Sequence, residues 1–313
     1  MHIDPYIILG AAVVGLLVGM TGAGGGALMT PMLIVLFGVA PIAAISSDLV
    51  ASVVMRPIGA GVHIRARTVN FRLVKWLMLG SIPAAFAGTY LLHVLGHGHH
   101  AAKEVKLALG VALLLGAAAM AMRYALDRRS GGQRTARLHE LVVRPGMTVA
   151  IGIVGGLVVG LTSVGSGSLM IVLLLFAYPM IGAKQLVGTD LTQAVPLTAA
   201  AAIGALLFGH VEFGVTGSLI IGGIPGVLVG SLLSSTVPDR YVRPVIGLVI
   251  CASGLKYVGV PNVTLLWIMG ALAMTVLCLW GLGTLLHQQR AEALGQQRSP
   301  EPSASPVRIQ RST

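Results

Sequence analysis

The sequence predicts an all-α polytopic membrane protein. It comprises two homologous four-element repeats, each opening on a glycine-broken helix or hairpin, plus one extra transmembrane helix at the C-terminal end. Three observations carry this reading. First, the 313 residues are 55% hydrophobic and only 10% charged, with a mean hydropathy of +0.88. A soluble domain carries roughly 25% charged residues, and this chain cannot hide so much apolar surface from water. Second, the apolar runs are continuous and about 20 residues long, the length a helix needs to cross ~30 Å of hydrocarbon; a β-barrel needs short alternating strands instead. Third, the pattern recurs. Gly19, Thr21, Gly24, Gly26, Leu28 and Met29 are matched 141 residues later by Gly160, Thr162, Gly165, Gly167, Leu169 and Met170.

In order, the apolar segments cover 6–38, 43–64, 72–95, 104–124, 147–178, 183–208, 215–236, 241–259 and 263–286, and glycines interrupt the first and the fifth. The repeat extends beyond these interruptions. Asp48 and Leu49 match Asp190 and Leu191, Val69 and Phe71 match Val211 and Phe213, Gly80 and Pro83 match Gly222 and Pro225, and Gly88 matches Gly230. A short insertion containing His97, His99 and His100 occurs only in the first half. The expected organisation is a first repeat over 1–126, a basic cytoplasmic linker over 127–146, a second repeat over 147–259, the extra helix over 260–286 and a disordered cytoplasmic tail over 287–313. The tail is rich in Gln, Arg, Ser and Pro, a composition that cannot bury a core. The N-terminal Met-His-Ile-Asp-Pro lacks the basic region of a signal peptide. Cys251 and Cys278 both fall inside apolar segments and read as small packing residues.

Orientation follows from Lys and Arg, which concentrate in cytoplasmic loops. Arg65, Arg67 and Arg72 follow the second segment, and Arg128, Arg129, Arg134, Arg137 and Arg144 occupy the linker. Lys184, Arg240 and Arg243 mark the same side in the second half. All of these share the cytoplasm if segments 6–38 and 147–178 each enter and leave on one side as hairpins, which makes the halves inverted. A single long crossing in their place would make the repeats parallel and put the tail outside. The net charge of +11 is explained by these loops, and with aromatics at 5% there is no basic, aromatic stripe for nucleic acid.

The glycine interruptions are the first candidate site. Gly22, Gly24, Gly25 and Gly26 lie too densely for a helix-packing motif, although packing is the usual role of glycine in a membrane helix. A break inside the bilayer frees backbone groups and is tolerated only where they are buried in protein or line a cavity. The freed N–H groups and the positive ends of half-helices suit an anion. The second break supplies Gly165, Ser166, Gly167 and Ser168, whose hydroxyls add donors. A broken hydrophobic segment at corresponding positions of two halves points to the binding site of a secondary transporter. The first run also looks like a dinucleotide fingerprint, but no βαβ pattern surrounds it.

Arg56 lies mid-segment, where a guanidinium matches an oxyanion. It equally suits a pair with Asp48, and His63 falls on the same helix face. Gln193 is a further polar candidate for substrate binding. Asp48 and Asp190 occupy matching positions; a carboxylate within a membrane segment is a functional candidate for ion coupling. Both also follow a Ser or Thr near the start of an apolar run, as helix N-caps do. No resident metal or other cofactor is expected. The partners implied are a small anionic substrate and the lipid bilayer.

The run from Gly22 to Pro31 (Gly-x-Gly-Gly-Gly-x-Leu-x-x-Pro), Ser47 with Asp48 and Leu49, and the stretch Gly61, His63, Arg65, Val69, Asn70 and Phe71 resemble the sulfite exporter TauE/SafE family. This is also called the 4-toluene sulfonate uptake permease family, and the resemblance spans about residues 6–258. It implies secondary transport of a small anion, a sulfite, a sulfonate or a related organosulfur compound, across the bacterial cytoplasmic membrane. Where family members often have an aromatic after a Val-Asp pair, this chain has Asn70 with Phe71 and Glu212 with Phe213, and the His-rich insertion is outside the family pattern. Two other readings stay open on the sequence: a divalent metal cation permease using His93, His97, His99 and His100 with the two aspartates, and an intramembrane hydrolase using Ser166 with His210.

Overall fold

A computed structural model of the chain describes residues 3–21, 25–96, 101–129, 143–233, 239–272 and 274. Ten helices lie in the unit Met1–Leu265. In the first half these are α1 (Pro5–Thr21), α2 (Gly26–Val35), α3 (Pro41–Arg65), α4 (Phe71–Gly96) and α5 (Ala101–Arg129). In the second half they are α6 (Pro145–Thr162), α7 (Leu169–Ala177), α8 (Ala183–Phe208), α9 (Phe213–Leu233) and α10 (Asp239–Val258). Of the unit Leu266–Thr313, residues 266–272 and 274 are described and are helical. The rest of the expected extra helix, the tail, most of the linker, Cys278 and His97, His99 and His100 lie outside the described residues.

Each glycine run divides its segment in two, so the expected four elements per half become five helices. Prolines open α1, α3 and α6, where a missing N–H costs nothing and φ is already helical. Asn70 caps α4: its Oδ1 accepts from the N–H groups of Arg72 and Leu73 at 3.2 and 3.3 Å. Six helices or helix portions are long and apolar enough to cross a membrane: α3, α4, α6, α9, residues Lys103–Met122 of α5 and Gln185–Phe208 of α8. Their outward faces carry Leu79, Leu115, Leu207 and Leu232, all exposed, as a lipid-facing surface requires. The chain is therefore a multi-pass α-helical membrane protein.

Glycine seams join the halves crosswise. A methyl group on Gly152, Gly156 or Gly160 of α6 would strike the backbone of Leu77, Ser81 or Ala85 of α4. One on Gly222, Gly226 or Gly230 of α9 would strike the backbone of Ile8, Ala12 or Leu16 of α1. Numbers rise together in both seams, so α4 runs parallel to α6 and α1 parallel to α9. Such close approach maximises dispersion contact where lipid offers no hydrophobic driving force.

The α3 and α8 helices run antiparallel, as do α5 and α10. Along α3 and α8, Ser46 meets Gly209, Gly59 meets Leu191 and His63 meets Gly188. Along α5 and α10, Gly110 meets Tyr257 and Val258, whereas Leu114 meets Gly254. The α2 helix folds back along α1, with Met32 and Phe37 against Gly10, and α7 folds back along α6, with Met170 against Gly155. Each broken segment thus forms a pair of helices folded against each other. The α3–α4 turn exposes Arg65, Arg67 and Arg72, and Arg144, next to the start of α6, lies at that same end because α4 and α6 are parallel.

Candidate functional site

The two breaks meet inside the protein. A Cβ on Gly26, the first residue of α2, would collide with the carbonyl of Ser163 at the end of α6. Ser163 takes a left-handed conformation with φ +60°, and Gly165 and Gly167 follow at φ +131° and +87°. Gly165 and Gly167 accept these angles without the Cβ penalty that every other residue meets. The turn is therefore specific to this sequence, and it sets successive polar groups facing α3 and α8.

Asp48 and Arg56 are eight residues apart on α3, about 12 Å along its axis. Asp48 is 1% exposed, Arg56 9%, Asp190 0% and Gln193 0%. Asp48 joins both breaks: its Oδ2 accepts from Thr30 Oγ1 of α2 at 3.0 Å and from Ser163 Oγ at 2.7 Å. Asp190, on α8, accepts the backbone N–H of Gly167 at 2.7 Å. Arg56 Nη1 donates to Ser166 Oγ, and its charge interacts with both Asp48 and Asp190. Among residues whose burial is described, these three are the buried formal charges.

Several polar atoms here are buried without a partner: Arg56 Nε and Nη2, Gln193 Nε2 and Asp48 Oδ1. Gln193 Oε1 accepts from Ser81 Oγ at 3.1 Å, and its Nε2 is the end left over. The register that sets Gly59 against Leu191 brings Gln193 of α8 level with Arg56 of α3. An unsatisfied buried donor is costly, and three such donors at one level mark a place suited to an acceptor group.

The structure therefore brings Arg56, Ser166, Gly167, Asp48 and Asp190 together with the first residues of α2, and sets Gln193 at the same level. Gly25 accepts the N–H groups of Leu28 and Met29 through its carbonyl and serves as the start of α2. Gly22 and Gly24 lie outside the described residues. Ser168 is buried with its hydroxyl near Gly116 of α5, where an added Cβ would lie 3.3 Å away. His63 is not brought to Arg56; its Nδ1 lies 3.0 Å from Thr68 Oγ1. The N-cap reading of the aspartates fails. The α3 helix starts at Pro41 and α8 at Ala183, so both carboxylates sit two turns inside their helices.

Two further bonds tie the halves together. The N–H of Asn70, before α4, donates to Thr189 Oγ1 at 3.1 Å, and the N–H of Glu212, before α9, donates to Ser47 Oγ at 3.1 Å. The partners are equivalent by the repeat, and each hydroxyl immediately precedes a buried aspartate. They lie at opposite ends of the α3–α8 pair. Sequence reasoning missed these hydroxyls, and also Thr30 and Ser163. Their one signal was a hydroxyl beside a carboxylate or a glycine run within an apolar segment.

Among the described residues the alternative chemistries are not assembled. Ser166 is buried against Arg56, whereas His210 is exposed beyond the C-terminal end of α8. Among the described residues no group of three or more His, Cys, Asp or Glu side chains could hold a metal ion. His93 packs its ring near those of Tyr90 and Phe208.

Comparison with known proteins agrees with this architecture. A sequence profile of the sulfite exporter TauE/SafE family matches residues 7–257. The probable membrane transporter protein YjnA of Bacillus subtilis (strain 168) is 42% identical over 253 residues, covering 80% of this chain and 98% of that protein. No solved structure matches significantly. A membrane transporter is what the six spanning helices, the paired broken segments and this sequence similarity together describe, and the chain belongs to the TauE/SafE family.

Proposed function

We propose that the protein is a secondary transporter of a small sulfur-containing anion, a sulfite, a sulfonate or a related organosulfur compound, across the bacterial cytoplasmic membrane. The observation that carries this reading is the buried guanidinium of Arg56, with Nε and Nη2 unpartnered and Gln193 Nε2 unpartnered at the same level. A tetrahedral or pyramidal oxyanion presents several acceptors to such a fork. In this reading Gly22, Gly24, Gly25 and Gly26 supply backbone donors from the first break, Gly165, Ser166, Gly167 and Ser168 supply them from the second, and Asp48 and Asp190 couple transport to an ion gradient. The Bacillus subtilis relative, a probable membrane transporter, agrees with transport in general, and membership of a sulfite exporter family agrees with a sulfur oxyanion.

In this reading residues 1–126 and 147–259 are inverted repeats, and the antiparallel courses of α3 with α8 and α5 with α10 support the inversion. The moving bodies are then not the two sequence halves, because the seams tie α1 to α9 and α4 to α6. Motion occurs between these crosswise pairs and alternately opens the two ends of the α3–α8 pair.

The test is uptake by purified protein in liposomes, using labelled sulfite, a labelled sulfonate, and Ni²⁺ and Zn²⁺ in parallel. Saturable uptake of a sulfur anion, lost in Arg56→Met, is the expected result. Uptake of the metals with none of the anions would overturn the proposal.

A further inference from the structure

Asp48 and Asp190 occupy equivalent positions, and both are buried. Asp190 receives a backbone N–H from Gly167, a group that can only donate. Asp48 receives two hydroxyls, from Thr30 and Ser163, and a hydroxyl can turn to donate or accept. Asp48 Oδ1 is buried and has no partner. Asp48 thus has an oxygen without a hydrogen bond, hydroxyl ligands that can rearrange around a change of charge, and contact with both halves through Thr30 and Ser163.

We infer that Asp48 carries a coupling proton, taken up on Oδ1 together with the anion that docks on Arg56, with one proton accompanying each monoanion. This inference rests on the anion reading of the Arg56 site. Its physical basis is the charge of the buried cluster. Two carboxylates and one guanidinium sum to −1 when the site is empty. A monoanion alone would take it to −2 in a low-dielectric interior, where an uncompensated charge is heavily penalised. A proton arriving with the anion leaves the sum at −1, so loaded and empty carriers have equal charge and the cycle is electroneutral. Protonation also releases Arg56 from one of its two carboxylates, freeing its field for the substrate.

The charged and titratable groups on the surrounding elements are few. On α3 they are Arg56, His63 and Arg65; His63 is held by Thr68 at the far end, and Arg65 is exposed there. The α2 helix and the α6–α7 break contribute hydroxyls and backbone but no titratable side chain. On α8 the described group is Asp190, and Glu212 before α9 and Lys103, Glu104 and Lys106 of α5 are exposed. Asp190 is the other buried acid among them, and loss of acidification in Asp48→Asn distinguishes the two.

Proteoliposomes containing a lumenal pH dye and labelled methanesulfonate provide the test. That sulfonate is ionised throughout the working pH range and brings no proton of its own. The expected result is lumenal acidification at one proton per anion, with a rate unchanged by a potassium–valinomycin potential of either sign. Asp48→Asn should abolish acidification and net pH-driven accumulation while methanesulfonate still exchanges across the membrane. Should Asp48→Asn fail to insert, Thr30→Val removes one hydroxyl ligand and should move the pH midpoint of uptake upward. Uptake without acidification, uptake driven by a sodium gradient at constant pH, or acidification surviving in Asp48→Asn would each overturn the inference and leave the anion site standing. Absence of any methanesulfonate binding or uptake by the wild type would overturn the anion reading, and this inference with it.

Discussion

Replacing Arg56 with lysine isolates the contribution of the guanidinium fork. The charge stays, so the attraction of Asp48 and Asp190 for this position persists. What disappears is a planar array in which Nη1 is held by Ser166 and Nε and Nη2 face no partner. A lysine ammonium supplies a point charge in place of two coplanar donors. Losing one charge-assisted hydrogen bond to the anion costs about 1.5–3 kcal/mol, which at 1.4 kcal/mol per decade is roughly a 10- to 140-fold weaker dissociation constant. Arg56→Met, which also removes the charge, should exceed that range. Calorimetric titration of a sulfonate into detergent-purified protein measures both variants, with thermal unfolding as the check on folding. A sulfonate affinity within twofold of wild type in a well-folded Arg56→Lys would refute the claim that Nε and Nη2 receive the substrate.

Gly26→Val should abolish transport while the protein still inserts, because its side chain has no space beside the Ser163 carbonyl; liposome uptake and membrane yield measure the two effects separately. Gln193→Leu removes a donor and leaves the Ser81 hydroxyl without its acceptor, so sulfonate affinity should fall about 2- to 12-fold, from a neutral hydrogen bond of roughly 0.5–1.5 kcal/mol. Ser47→Ala and Thr189→Ala each remove one of two equivalent bonds at opposite ends of α3 and α8; thiol labelling of cysteines placed at either end should show each variant opening its own end. A C-terminal tag should resist proteolysis in intact cells, and an accessible tag would refute the inverted arrangement.

The spanning helices were legible because membrane thickness dictates run length. The apolar segments 43–64, 72–95 and 183–208 compare with helices Pro41–Arg65, Phe71–Gly96 and Ala183–Phe208. The breaks were legible too, since glycines that dense cannot continue a helix. What each glycine does was not. Gly19 and Gly160 belong to the same matched stretches as Gly26 and Gly167, yet they lie in the α1–α9 and α4–α6 seams. Whether a glycine packs or breaks depends on a partner helix far away in sequence. The position of Asp48 was misread as a possible cap because local sequence shows the preceding serine, whereas Pro41 had already started the helix two turns earlier. Thr30 and Ser163 escaped notice for the same reason: their role depends on α3 passing between two breaks that are 141 residues apart.

The crosswise seams also govern how the chain is made. The α6 helix finds its partner α4 already in place, but α1 spans Pro5–Thr21 and its partner α9 is not synthesised until Phe213–Leu233. At ~5–20 residues per second, α9 follows roughly 10–40 s later. For that interval Gly15 and Gly19 have no backbone to lie against, and the nascent first helix must wait in lipid or against the insertion machinery. A ribosome that stops before residue 213 leaves a membrane fragment whose oldest helix was never docked, which is the kind of fragment a quality-control protease recognises. The tight packing that holds the finished transporter together thus makes its first helix wait longest for its partner.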